Sequence, residues 1–338
     1  MLIPDELTYA IKSAAQELPQ KQLSADAQRL SLRYRTETRT GERLISTHGE
    51  AVAYAITRMP ATYGAAYSAL EYSVGLLENP PTTLLDVGAG TGAASWAASV
   101  LLDLERVVCF EREEVMLNLG RQIMSGEGDV LSQVEWVRAD LLTDAPSVTA
   151  DLVVAAYVFN EMTDRQRTEG ILKLWNAANR MLLLIEPGTS AGYAQILQAR
   201  ELLLNHGGRI AAPCPHESTC MLPLGDWCHF SCRVPRSSLH RILKDGDAPY
   251  EDEKFTYLAV VRGDACRTDA RVLRHPLIEK GRMTFKLCTE TGIHERQIRK
   301  RDGDLYKCAK KIKWGDSFPC EDRSVQVQTG DIYDNIGN

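Results

Sequence analysis

No run of eighteen apolar residues occurs in this 338-residue sequence, so a membrane-spanning helix is not expected. The opening stretch, MLIPDELTYAIKSAAQELPQK, carries acids early and lacks an apolar core followed by a small-residue cleavage site. It reads neither as a secretory signal nor as a transit peptide, and a leader already removed stays open. The Gly-Lys-Ser/Thr of an ATPase phosphate loop is missing, which sets that class aside. No internal repeat is present. Nine cysteines is an odd number without secretory context, so a reducing compartment without disulfides is expected. Clustered cysteines in such a compartment more often hold metal.

The hydrophobic fraction of 44% and the charged fraction of 25% are those of a globular protein, long enough for one large domain with an appendage or for two domains. The net charge of −6 conceals an asymmetry. Residues 267–313 carry 14 Lys and Arg against 6 Asp and Glu, a net +8, which leaves −14 for the rest. A basic segment on an acidic body suggests a polyanionic partner, although a solvated basic face is the plainer alternative.

Residues 1–80 read mainly as helix. Tyr67, Leu70, Val74 and Leu77 share one face, and the ENPP stretch at 78–81 breaks the pattern. From residue 81 to 265 short apolar runs alternate with helical or loop-like segments: TLLDV (83–87), RVVCF (106–110), VEWVR (134–138), LVVAA (152–156) and MLLLIE (181–186). Continuous apolar strands alternating with helices predict a doubly wound α/β domain on a parallel sheet. FTYLAVV (255–261) is expected to close the sheet. In 266–320, RMTFKLC and DLYKCAKKI read as strands of a small basic β-rich appendage, and residues 321–338 read as a mobile tail.

LLDVGAGTGAAS (84–95) is a strand, a tight turn and a helix start. Gly88, Gly90 and Gly92 let the backbone turn and approach a ligand. Their G-x-G-x-G spacing, with Asp86 at the strand end, resembles the first motif of class I S-adenosylmethionine methyltransferases. That resemblance implies a ribose-binding acid at Glu111 and an adenine-side acid at Asp140, because a carboxylate accepts two hydrogen bonds well. Ordinary polar residues at strand ends are the alternative for both. In AAYVFNEMTD (155–164) neither the Asn/Asp-Pro-Pro-Tyr/Phe signature nor a Pro-Cys pair is present. Asn160 and Glu161 lie at the end of the sheet that faces donor or substrate, or else they cap the next helix. No catalytic base is assigned.

APCPHESTCMLPLGDWCHFSC (212–232) places Cys214, Cys220, Cys228 and Cys232 in a C-x5-C-x7-C-x3-C pattern, stiffened by Pro213 and Pro215. The paired knuckles of a zinc ribbon and the C-x3-C-x2-C of radical enzymes are both missing. Buried thiols without metal are the bland alternative.

Together with YAITRMPATYGAAYSAL, LLLIEPGT, YEDEKFTYLAVVR and KKIKWGDSFP, this stretch resembles the methyltransferase-like small-subunit factor family of mitochondrial ribosomes and its bacterial relatives, over roughly residues 30 to 320. The resemblance implies a class I methyltransferase (Rossmann-like) sheet that binds S-adenosylmethionine at Asp86, Gly88, Gly90, Gly92, Glu111, Asp140 and Asn160. It also implies a 4Fe-4S cluster on Cys214, Cys220, Cys228 and Cys288, with zinc as the alternative. Spacing alone selects Cys232 as the fourth ligand, whereas the family selects Cys288. His216 and His229 then stand as outer donors or alternative zinc ligands. The implied partners are small-subunit rRNA and the small ribosomal subunit precursor. The implied setting is the bacterial cytoplasm, or the mitochondrial matrix for a processed eukaryotic chain. Two functions follow from this: an rRNA methyltransferase, or a non-catalytic assembly factor that uses donor and cluster structurally. A zinc-binding methyltransferase of a small molecule or protein is a weaker third.

Overall fold

The computed structural model describes residues 3–36, 45–126, 130–264 and 266–318. The mobile tail expected at 321–338 lies outside them. Four helices come first: α1 (Asp5–Gln16), α2 (Gln20–Thr36), α3 (His48–Thr57) and α4 (Met59–Val74). Thr47 and Glu50 cap α3 reciprocally, the Thr side chain accepting from the Glu50 N–H and the Glu side chain from the Thr47 N–H.

An alternating stretch follows: β1 (Thr83–Val87), α5 (Ala93–Leu101), β2 (Arg106–Glu111), α6 (Glu114–Ile123), β3 (Glu135–Arg138), β4 (Ala150–Ala156), α7 (Asp164–Ala177), β5 (Ala178–Pro187), α8 (Ser190–Asn205), β6 (Arg209–Ala212), β7 (Phe230–Pro235), α9 (Ser238–Lys244) and β8 (Tyr250–Val261). The sheet runs β3-β2-β1-β4-β5-β8-β6, with β7 also on β8. The strands from β3 to β5 are parallel, and β8 is antiparallel to β5. This is the doubly wound sheet expected of a class I methyltransferase. The apolar runs show why both faces are covered. Leu84, Cys109, Val154 and Leu183 face the core shared with α1–α6, while Leu85, Val108, Val153 and Leu182 face the core beneath α7 and α8. The N-terminal helices therefore pack into the same core as the sheet.

The FTYLAVV run lies in β8, between β5 and β6 rather than at the edge. β6 pairs with one end of β8 and β7 with the other, through Ile210↔Val260 and Cys232↔Glu253. The cysteine stretch therefore leaves the sheet after Ala212 and returns at Phe230.

The basic segment forms a second sheet from β9 (Ala270–Val272), β10 (Leu277–Glu279), β11 (Arg282–Thr289), β12 (Gly292–Arg299) and β13 (Ser317–Phe318), with helix α10 (Asp304–Ala309) before β13. Its own core is built on Val272, Met283, Phe285, Leu287, Ile298 and Phe318. DLYKCAKKI, read above as a strand, contributes α10 instead. Leu305 and Ala309, four residues apart, pack on one side into that core, which is a helical and not a strand period.

Candidate functional site

A cavity of about 440 Å³ opens at the carboxyl ends of the parallel strands, beside the point where β1 neighbours both β2 and β4. That is where open α/β sheets receive ligands, and the volume lies in the usual range for small-molecule pockets. Gly88, Gly90, Glu111, Asp140 and Asn160 line it. The loop glycines have φ of 67°, 58° and 85°. A Cβ on Gly88 would stand 2.6 Å from Val158 Cγ2, a stiff branched side chain that cannot retreat easily.

Glu111 is buried and holds the loop while facing the cavity. Its Oε2 accepts from the Gly90 N–H at 2.7 Å and its Oε1 from the Glu113 N–H at 2.8 Å. Burial raises its pKa against those bonds. Asp140 accepts from the Leu142 N–H at 2.9 Å.

Asp86 and Gly92 are placed differently: neither lines the cavity. Asp86 is buried behind the loop, where its Oδ2 accepts from the Ser95 N–H at 3.0 Å and Oγ at 2.8 Å, so it ties β1 to α5. Burial pushes its carboxyl up to about 6. Gly92 precedes α5 with φ of 85°, the left-handed region that glycine enters without strain. Asn160 does not cap α7, a role taken by Thr163. Glu161 lies in the short turn Phe159–Glu161.

The sequence did not reveal the rest of the wall. Tyr54 and Arg58, from α3 and the residue after it, line the cavity from the helical side. Tyr157, the residue after β4, and Glu253 of β8 also line it, and the Tyr157 Oη donates to Glu253 Oε1 at 2.8 Å. Tyr157 has φ of 61°, a strained conformation for a bulky residue and of the kind that gathers at functional sites. The absence of the expected Pro-containing signature after β4 hid this pair. The YAITR and YEDEKF segments, already quoted for their resemblance, hold three of these four residues.

A second, smaller cavity of about 30 Å³ lies where the cysteine loop meets the basic appendage. Cys214, Cys220, Cys228 and Cys288 line it together with Arg200 of α8 and Arg271 of β9. Cys288 comes from β11, beside Arg271 on β9. Cys232 lies elsewhere: on β7, opposite Glu253 and in the core of the N-terminal helices. Burial raises the Cys214, Cys228 and Cys288 thiols, Cys288 to about 12. The Tyr193 Oη donates to Cys220 Sγ at 3.0 Å. His216 is near, with its Nε2 3.6 Å from Cys288 Sγ. The His229 ring stacks on Trp227 and meets Trp314 edge-on.

The chemistry around this cavity tests what it would accept. Among the described residues no three His, Cys, Asp or Glu side chains converge as a single ion requires. Four thiols instead share the wall of one space, alongside two cationic side chains. Arg271 Nη2, Arg200 Nε and Tyr257 Oη are buried without hydrogen-bond partners. Buried donors of this kind are rare unless an acceptor is to meet them. Four buried thiols with unpartnered donors beside them form a donor set that would suit an anionic, sulfur-ligated group.

The appendage is fastened to the body around the same place. Arg271 donates from Nε to the Pro213 carbonyl at 3.0 Å and from Nη1 to the Gly315 carbonyl at 2.8 Å. Lys286 and Arg274 both bond Asp226 in the cysteine loop. Arg299, Lys300, Arg301, Lys310 and Lys311 are among the exposed basic residues of the appendage.

The human mitochondrial ribosome assembly protein METTL17 is 29% identical over 301 residues, covering 82% of this chain and 64% of that protein. The Rsm22-cox11 tandem protein 2 of Schizosaccharomyces pombe is 23% identical over 333 residues, covering 81% of this chain and 44% of that protein. The chain thus spans less than two thirds of the length of these relatives. Among solved structures, the magnesium protoporphyrin IX methyltransferase of Synechocystis with bound SAM is 17% identical with a TM-score of 0.40, covering 68% of this chain and 90% of that one. Residues 48–319 match the family model for the mitochondrial small ribosomal subunit protein Rsm22, and the chain belongs to that family.

Proposed function

We propose that this protein is an assembly factor of the small ribosomal subunit that binds S-adenosylmethionine in the strand-end cavity and carries an iron–sulfur cluster on Cys214, Cys220, Cys228 and Cys288. The observation that carries the reading is the meeting of Cys288, from the appendage, with Cys214, Cys220 and Cys228 of one loop at a cavity that Cys232 does not line. Family membership and the human relative's name supply the ribosomal setting. Both relatives are named as mitochondrial, which supports the matrix for a eukaryotic chain. No helix among the described residues is long and apolar enough to cross a membrane.

In this reading Gly88 and Gly90 bring backbone close to the donor. Glu111 accepts from its ribose hydroxyls, and Asp140 and Asn160 border the base. The cluster supplies four-fold cross-linking by thiolate ligation, so that its formation is coupled to the docking of the appendage. The exposed cations around Arg299–Arg301 hold rRNA phosphates.

Isothermal calorimetry with S-adenosylmethionine tests the donor site. Glu111→Ala removes a charged hydrogen-bond acceptor worth about 1.5–3 kcal/mol, so roughly a tenfold or greater loss of affinity is expected. Wild-type affinity in that variant removes Glu111 from the site.

One observation favours methyl transfer over a purely structural role: the strained Tyr157 bonded to Glu253 in the cavity wall. Mass spectrometry of rRNA modifications in cells with and without the protein separates the two. A methylated nucleotide lost with the protein establishes catalysis, and an unchanged modification map leaves the assembly role alone.

A further inference from the structure

Arg200 and Arg271 are 3% and 2% exposed, and Arg271 heads the largest fully buried side chains. Arginine is almost never buried so deeply without an anion beside it. Here the partners of both are neutral: backbone carbonyls, together with the Cys214 thiol for Arg200 and the Tyr72 ring, 5.8 Å away, for Arg271. Arg200 Nη2 donates to the His216 and Ser218 carbonyls at 3.1 and 2.7 Å. Arg271 donates to those of Pro213 and Gly315. Neither forms an ion pair with a carboxylate among the described residues. The acids of the cysteine loop are already engaged, Glu217 by Arg209 and Arg267, and Asp226 by Arg274 and Lys286. Both guanidiniums also keep a buried nitrogen without a partner, Arg200 Nε and Arg271 Nη2, and both line the four-cysteine cavity.

We infer that Arg200 and Arg271 are the built-in counter-charge of the cluster, and that their unpartnered N–H groups donate to its sulfur atoms. The inference rests on the cluster reading above and adds to it. A four-iron, four-sulfide core in its doubly positive state, held by four thiolates, carries a double negative charge. Two guanidiniums neutralise it within the protein. One-electron reduction adds a further negative charge to the core, which the same cations favour. Net charge and hydrogen bonds to sulfur are the terms by which a protein sets a cluster's reduction potential. The two arginines therefore raise that potential and seal a buried anion that would otherwise be costly.

The test uses the full chain purified without oxygen, as wild type, Arg271→Gln, Arg271→Lys and Arg200→Gln. Iron and sulfide are counted, far-ultraviolet circular dichroism checks the fold, and the midpoint potential is measured by redox titration followed by electron paramagnetic resonance. Wild type is expected to hold the cluster. Arg271→Gln and Arg200→Gln are each expected to disfavour the reduced state about tenfold, a midpoint about 59 mV more negative for one electron. Arg271→Lys keeps the charge and should lie between them and wild type. A loaded Arg271→Gln and a loaded Arg200→Gln at the wild-type midpoint overturn the inference while leaving the cluster reading intact. If Arg271→Gln fails to fold, Arg200→Gln and Arg271→Lys decide by the same criterion. Wild type with zinc and no iron, or with no metal, overturns the cluster reading and this inference with it.

Discussion

Glu186 ends the apolar run of β5, fully buried, with Oε1 accepting from the Phe159 N–H at 3.0 Å and Oε2 unpartnered. Burial pushes its carboxyl up to about 8. A carboxyl whose folded pKa lies above its unfolded value binds its proton more tightly in the folded state. Its contribution is therefore full below about pH 4.3 and is lost as pH rises toward 8, by at most about 1.4 kcal/mol per pH unit. Glu186→Gln keeps the acceptor for Phe159 and cannot ionise. Its thermal midpoint should fall less than that of wild type between pH 5 and 8, and parallel curves would show that Glu186 does not titrate there. At this scale the sequence was unevenly informative. Glu111 was legible because its distance from the glycine loop is fixed by one strand-helix-strand unit. Tyr157 and Glu253 were not, because their contact joins residues 96 positions apart and depends on β8 inserting between β5 and β6.

Among the elements, the five parallel strands were readable because a sheet buried on both faces leaves uninterrupted apolar runs. β6 and β7 escaped notice because each is short and draws its partner from β8, far along the chain. α10 was misread because Lys307 and the Lys310 that follows it mask the spacing of Leu305 and Ala309. The placement of charge in the appendage bears on its partner. Arg274 and Lys286 are spent on Asp226, and Arg271 is buried, so the excess of +8 overstates what a polyanion can reach. Arg299, Lys300 and Arg301, at the end of β12 and in the turn after it, are exposed. If each contacts one rRNA phosphate, replacing all three with Gln should lower the slope of log affinity against log salt by about 2 to 3. Filter binding of small-subunit rRNA over a salt series measures it, and an unchanged slope places the RNA surface elsewhere.

Across the whole molecule, the two cavities lie in different parts of the fold. The strand-end pocket is walled by the N-terminal helices and the sheet, and the cysteine cavity joins the sheet, the loop after β6 and the appendage. Three of the four thiols come from the loop and the fourth from β11, 60 residues beyond Cys228 in the chain. Spacing could not place Cys288 beside the other three cysteines, because its position at this cavity is a property of the fold. The central claim is that this cavity holds an iron–sulfur cluster that staples the appendage to the body. Iron and sulfide analysis of anaerobically purified wild type, Cys288→Ser and Cys232→Ser, read alongside limited proteolysis of the appendage, tests it most directly. The account predicts brown wild type with about four irons per chain, a Cys288→Ser variant without the cluster and with a protease-sensitive appendage, and a Cys232→Ser variant like wild type in both respects. A cluster retained in Cys288→Ser and lost in Cys232→Ser would contradict it.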